Sequence, residues 1–276
     1  MACDRTGDGR GVRRRESFDA VAELYDKARP GYPQRLVDDL VDLTGLDKGR
    51  RVLEIGSGTG QLTVPLAERG VSLVAVELGS NLAEVARRNL RPFELAEVVI
   101  ADFDRWVLPG EPFDLVVAAT AFHWLDPATR VRKCADAVRP GGALAIVETR
   151  WGLGHSEDHF FAESQSCYAR WDPDHDPAFR PPTLEELPEE RDDLASSRLF
   201  AQILHRRYPC DREYGAAQYC DLLGTFSNVL AFDERTRSRF LACIADLIES
   251  RFEGRIVRHD LYDLWLARTS TRSEGI

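Results

Sequence analysis

The sequence predicts a doubly wound α/β domain. Three observations carry that prediction: near-continuous apolar strands, amphipathic helices alternating with them, and one apolar strand that runs into three alternating glycines and then a helix. The clearest strand, Leu115-Val116-Val117-Ala118-Ala119, is apolar at every position, as a strand buried on both faces of a parallel sheet must be. The glycine run is Arg51-Val52-Leu53-Glu54-Ile55-Gly56-Ser57-Gly58-Thr59-Gly60-Gln61. Glycine at every second position removes side chains where the backbone turns sharply against a ligand, and the helix beyond offers free N–H groups at its start.

Taken in order, residues 1–16 are rich in Gly, Arg and Asp and are expected to be a disordered tail, with Arg13-Arg14-Arg15 a solvated run. Leu36, Val37, Leu40, Val41 and Leu43 follow helical spacing over residues 33–43, and Gly45 is the stop. Strand 51–55, helix 62–69, strand 73–78, helix 81–90, and strands 97–101 and 113–119 follow. Next come helix 127–138, opened by Pro127, and strand 143–148. Arg139-Pro140-Gly141-Gly142 is expected to turn tightly into that strand. Beyond Glu148 the pattern loosens. Residues 151–171 read as helical but aromatic, 172–188 as an acidic, proline-rich loop or cap, and 198–208 as a strand. Residues 215–230 and 234–252 read as helices, 255–267 as a last strand, and 269–276 as a second disordered tail.

The chain has 276 residues, 43% hydrophobic and 30% charged, enough for one substantial core or a core plus a cap. A net charge of -10 argues against a chain built to grip phosphate backbones, so nucleic acid is a poor partner. Cys3, Cys134, Cys167, Cys210, Cys220 and Cys243 are scattered with no C-x-x-C pair, and no secretory apolar segment is present. The expectation is therefore reduced cysteines and a cytoplasmic protein. Apolar runs fall far short of the roughly 20 residues that cross a bilayer, so no membrane partner is expected.

A dinucleotide fingerprint spaces its glycines G-x-G-x-x-G/A and cradles a pyrophosphate, whereas here Gln61 holds the third place and the spacing is E-x-G-x-G-x-G. Glu54 would repel a diphosphate and suits a ligand with cationic groups. At this point the chain resembles the class I S-adenosylmethionine-dependent methyltransferases, whose cofactor carries a sulfonium and an amino group and no phosphate. The resemblance covers roughly residues 18–268 and is nearest the small-molecule branch, methyltransferase type 11 or trans-aconitate-methyltransferase-like. It implies a Rossmann-like, mostly parallel seven-stranded sheet with an antiparallel last strand and a helical lid. Residues 17–150 would be the N-terminal cofactor cap and the cofactor-binding core. Residues 151–268 would be lid helices with the last two strands of the same sheet.

Acids stand at the ends of three successive strands. In Val76-Glu77-Leu78, Glu77 can accept hydrogen bonds from both ribose hydroxyls, a surface acid being the plain alternative. In Ala101-Asp102-Phe103 the resemblance sets Asp102 against the adenine amine and a backbone N–H against a ring nitrogen, with Asp104 competing for the carboxylate role. Gly56, Ser57, Gly58 and Gln61 would line the amino-acid portion of the cofactor together with Glu54.

The fourth strand leads through Ala119 and Thr120, further cofactor-lining positions, into Ala121-Phe122-His123-Trp124. There the donor methyl and the acceptor should meet. His123 is the candidate catalytic residue, orienting the acceptor or taking its proton, and bracing the loop or lining the pocket is its competing role. Upstream, the segment from Phe18 to Pro33 also resembles this branch. Tyr25 and Arg29 are expected on one helical face, Arg29 pairing with the cofactor carboxylate and Tyr25 shielding the sulfonium or donating to that carboxylate.

Trp151, His155, His159, Phe160, Phe161, Tyr168 and Trp171 lie where a lid would cover the acceptor, although ordinary helix packing explains most of them. His155 and His159 with Asp172 and Asp174 lack a third ligand fixed by spacing, so no metal is expected. No G-x-S-x-G, H-E-x-x-H or P-loop lysine appears. The expected activity is transfer of a methyl group from S-adenosylmethionine to a small molecule, oxygen favoured, leaving S-adenosylhomocysteine, by a monomer or homodimer. The rivals are an NAD(P)-dependent oxidoreductase and a non-catalytic S-adenosylmethionine-binding protein. The motifs leave the acceptor atom open.

Overall fold

The computed structural model describes residues 17–154 and 159–270. Seven strands form one sheet: β1 (Arg51–Ile55), β2 (Ser72–Glu77), β3 (Ala96–Ile100), β4 (Phe113–Ala119), β5 (Val138–Arg150), β6 (Phe200–Gly215) and β7 (Arg255–Thr269). Their order is β3-β2-β1-β4-β5-β7-β6, with the last strand in sequence antiparallel to the others. The strand order reverses between β1 and β4, whose pairing is parallel with Val52 opposite Leu115 and Glu54 opposite Val117. Ligands of open α/β sheets bind outside the carboxyl ends of strands at such a switch.

The helices are α1 (Ala22–Ala28), α2 (Gln34–Thr44), α3 (Thr63–Ala67), α4 (Ser80–Asn89), α5 (Arg130–Ala137), α6 (His159–Trp171), α7 (Asp192–Ser197), α8 (Ala216–Leu223), α9 (Ser227–Leu230) and α10 (Glu234–Arg251). Gly45 ends α2 as expected, in the left-handed region at φ +64°, with its N–H donating to the Asp42 and Val41 carbonyls.

The chain divides into two compact units. One comprises Pro30–Thr149, Pro188–Tyr208 and Tyr262–Ile276. Its core gathers Leu53 and Ile55 of β1, Val116 and Ala118 of β4, Leu144 and Ile146 of β5, and Trp265 of β7, all nearly or wholly buried. The other comprises Met1–Arg29, Arg150–Leu187 and Pro209–Leu261. Phe160 and Cys167 of α6, Leu222 and Leu223 of α8, and Phe240, Ile244 and Ile248 of α10 fill its core.

Several elements differ from the sequence reading, each for a physical reason. Arg29 does not continue α1: it is an extended cap at φ -73°, ψ 125°, because Pro30 disfavours helical geometry in the residue before it. The expected turn at residues 139–142 is a bulge inside β5, where the pairing with β4 jumps from Val138 to Ala143. A side chain at Gly142 would stand 2.8 Å from the Asp114 carbonyl. Helix 127–138 begins later, at Arg130, because the Asp126 carboxylate accepts the Ala128 N–H at 3.0 Å and holds a turn first.

Trp151 to Gly154 is irregular rather than helical, with a left-handed bend at Gly152 (φ +72°), the Gly152 N–H donating to the Asp260 carboxylate and the Leu153 N–H to the His259 carbonyl. The helix expected at 215–230 splits into α8 and α9 around Thr225, whose hydroxyl donates to the Leu222 carbonyl at 2.6 Å. β6 runs seven residues past its expected end at Tyr208 and through Pro209, which an edge strand tolerates because one side of it needs no ladder donor. β7 runs on to Thr269, whose hydroxyl donates to the Arg139 carbonyl at 2.8 Å. The tails at 1–16 and 271–276, with Arg13-Arg14-Arg15, lie outside the described residues, as does His155.

The expectation of reduced cysteines is corrected. Cys167 of α6 and Cys243 of α10 form a disulfide across 76 residues of sequence, a pairing that spacing alone does not reveal. Among the described residues Cys134, Cys210 and Cys220 are thiols. No described helix is long and apolar enough to cross a membrane.

Candidate cofactor and methyl-transfer site

The unit built on β1 to β5 brings most of the predicted residues to the carboxyl ends of neighbouring strands. β1 ends in a backbone that only glycine accommodates: Gly56, Gly58 and Gly60 have φ of +70°, +57° and +106°. The Gly56 N–H donates to the Val76 carbonyl at 2.8 Å, tying the loop to β2. A Cβ on Gly56 would lie 2.6 Å from the Cβ of Ala121, so the glycine loop and the exit of β4 are in direct contact.

Glu77 closes the other side of the loop. Its two carboxylate oxygens accept the Gly58 N–H at 2.8 Å and the Gly79 N–H at 2.9 Å. A carboxylate has about four lone-pair sites, so such a group can accept more than two bonds. Leu78 leads from it into Gly79, the cap of α4.

Glu54 sits on β1 with only 1% of its surface exposed, and its Oε2 has no hydrogen-bond partner among the described residues. Burial pushes its carboxyl up to about 8; the Thr63 hydroxyl offsets part of that shift and the Glu77 charge adds to it. The Ser57 hydroxyl is likewise buried and without a partner among the described residues. Such orphaned groups are costly unless something else meets them. Gln61 is turned to its own loop, donating to the Thr59 hydroxyl at 2.6 Å.

At the end of β3 the Asp102 carboxylate accepts the Asp104 N–H at 3.1 Å, while Asp104 itself takes the Asp126 N–H on both oxygens. This commitment weakens the case for Asp104 as the adenine ligand. The Phe103 ring is 4% exposed within the core and carries the Lys133 ammonium 5.0 Å from its centroid; the role expected at this position is that of its backbone.

At the end of β4, past the buried Ala119, Thr120 adopts φ 56°, a conformation costly for a β-branched residue. Its hydroxyl bonds to those of Tyr32 at 3.1 Å and Thr149 at 2.8 Å, and its N–H donates to the Val147 carbonyl at 2.7 Å. Tyr32 and Thr149 were absent from the predicted set. Tyr32 stands in the Arg29-Pro30-Gly31-Tyr32-Pro33 segment already singled out, and Thr149 at a strand's carboxyl end. His123 follows on a single 3-10 turn, Phe122–Trp124, half-buried, with its ring 4.7 Å from that of Trp124.

Tyr25 and Arg29 belong to the other unit. There the Arg29 guanidinium donates to the Thr225 hydroxyl and carbonyl, both at 2.8 Å, and lies over the rings of Tyr25, Trp151 and Phe226 at 4.7 to 5.2 Å. The expected shared helical face is corrected, since Arg29 lies beyond the helix; the two side chains meet as a cation–π contact.

Residues 53–146 match the family model described as a methyltransferase domain. Over 131 residues the chain is 37% identical to an uncharacterized methyltransferase of Mycobacterium tuberculosis, covering 48% of this chain and 51% of that one. A second uncharacterized methyltransferase, from Geobacillus thermodenitrificans, is 33% identical over 141 residues, 48% of this chain and 65% of that one. The chain thus spans about half the length of the first of these relatives.

Among solved structures, the [4+2]-cyclase SpnF superposes with a TM-score of 0.55 at 18% identity, covering 92% of this chain and 94% of that one. The Haemonchus contortus phosphoethanolamine N-methyltransferase 2, solved with phosphomonomethylethanolamine and S-adenosylhomocysteine, gives 0.53 at 15% identity, with coverage of 91% and 57%. At these identities the structures speak for the fold. Strand order, glycine loop and family match agree: residues 53–146 are similar to the methyltransferase domain family and lie on the fold those enzymes share.

Proposed function

We propose that the protein transfers the methyl group of S-adenosylmethionine to a small-molecule acceptor, oxygen favoured, by in-line displacement at the sulfonium carbon. The observation that carries this reading is the acid set around the glycine loop. Glu54, Glu77 and Asp102 stand at the ends of three adjacent strands, and a buried carboxylate oxygen and the Ser57 hydroxyl both lack a partner among the described residues. Such a set suits a ligand bearing an ammonium and hydroxyls and repels a diphosphate, which argues against NAD(P).

When bound, the donor supplies a methyl group already activated by its positive sulfur. The protein's part is alignment, which can be worth about 7–11 kcal/mol of a barrier. Glu77 would hold the ribose, Asp102 and the Phe103 backbone the adenine, and Gly56, Ser57, Gly58, Gln61 and Glu54 the amino-acid portion. Leu78, Ala119 and Thr120 would wall the site. Tyr25 and Arg29 would cap it, and His123 would orient the acceptor or take its proton. The helices of residues 151–268 would form the lid over that acceptor. We further propose a monomer or homodimer with no nucleic-acid or membrane partner; the cytoplasmic expectation loses its support with the Cys167–Cys243 bond.

The test is methyl transfer from labelled S-adenosylmethionine to a panel of metabolite acids, alcohols and amines. The expected result is labelled ester or ether product with an oxygen acceptor. Donor binding without any product would favour the non-catalytic reading. Product with amines alone would retain the activity and overturn the preference for oxygen.

A further inference from the structure

We propose that Glu54 is a proton-exchanging counter-ion for the amino group of the methyl donor, so that donor binding expels a proton to solvent and strengthens as pH rises. This rests on the donor reading given above and adds to it a coupling between the site and pH.

The geometry is that of two buried carboxyls sharing one small region with unequal support. Glu77 receives a backbone N–H on each oxygen, from Gly58 and Gly79. Glu54 is 1% exposed, yet its Oε2 faces no donor among the described residues. The groups that act on it are the Thr63 hydroxyl from α3 and the Glu77 carboxylate from β2. Two like charges so placed do not both ionise cheaply, and the one with fewer donors keeps its proton.

An ammonium entering beside Glu54 reverses that balance, because the charged carboxyl then gains a partner and the protonated one does not. The O–H bond of the Glu54 carboxyl breaks, its electron pair stays on the carboxylate, and the proton passes to water. No other bond changes.

With the free carboxyl titrating near 8, about 0.9 proton should leave at pH 7, and affinity should rise roughly tenfold from pH 6 to pH 7. The sign for the free protein is the opposite. Folded Glu54 holds its proton up to about 8 while the unfolded chain ionises near 4.5. The free protein therefore gains stability from Glu54 at low pH and loses it as pH rises through that interval.

The experiment is isothermal titration of the whole chain with S-adenosylhomocysteine, whose amino group matches that of the donor. It is run between about pH 6 and 8 in phosphate and in Tris, buffers of different ionisation enthalpy. The expected result is a buffer-dependent heat reporting proton release in the unaltered protein. In Glu54→Gln the release disappears and the affinity becomes both weaker and flat with pH. The thermal midpoint of free Glu54→Gln should likewise lose its fall with pH between about 5 and 8, a readout that needs no ligand.

Binding with the same heat in both buffers overturns the proposal and leaves the methyltransferase reading intact. So does release undiminished in Glu54→Gln. Absence of any S-adenosylhomocysteine binding across the pH range overturns the donor reading and this proposal with it.

Discussion

Reduction of the Cys167–Cys243 bond should lower the stability of the protein by about 4 kcal/mol, within the range of roughly 2–5 kcal/mol for native disulfides. The bond closes a loop of 76 residues, and in the chain-entropy account the loss grows with the logarithm of that length. Cys167 is 2% exposed and packs in the core with Phe160, Phe240 and Ile244, so the sulfurs also fill volume that a reduced pair fills less well. Denaturant unfolding of the oxidised protein, the dithiothreitol-treated protein and Cys167→Ser measures it. The two reduced forms should unfold at lower denaturant by similar amounts. Equal midpoints for all three would mean that the bond contributes nothing to the fold, and would restore the expectation of free thiols.

Gly56→Ala should cost about 2–5 kcal/mol and abolish cofactor binding. Two separate penalties combine. An alanine at φ +70° pays about 1–2 kcal/mol for its left-handed backbone, and its Cβ would meet that of Ala121 at 2.6 Å, an overpacking worth about 1–3 kcal/mol. Relief requires the glycine loop to move off β4, which would carry Ser57 and Gly58 away from Glu77. The steric share can be separated from the backbone share, because Ala121→Gly added to Gly56→Ala removes the first and leaves the second. Partial recovery of stability in the double variant is the expected outcome. Additive losses would place the cost elsewhere.

The sequence spelled out some of this architecture and hid the rest. β1 and β4 are legible to the residue, since each is mainly apolar and ends at a chemical stop, glycine after Ile55 and a polar residue after Ala119. The far end of β6 is hidden in the sequence, because the tolerance of Pro209 depends on an edge position that only the assembled sheet defines. Residues 151–154 hide their conformation because aromatic spacing fits a helix, whereas Gly152 bends at φ +72° onto the Asp260 carboxylate and the Gly154 N–H donates to the Pro182 carbonyl. Glu54, Glu77 and Asp102 were visible as strand-end acids. The missing partner of Glu54, the left-handed Thr120 and its hydroxyl chain to Tyr32 and Thr149 arise from tertiary placement and leave no periodic signal.

The most direct test of the central claim is calorimetric titration with S-adenosylhomocysteine and with NAD, on the unaltered protein and on Glu77→Ala. The account predicts binding of S-adenosylhomocysteine, none of NAD, and a loss of about 1–3 kcal/mol in Glu77→Ala from missing ribose hydrogen bonds. Binding of NAD with none of S-adenosylhomocysteine would contradict it.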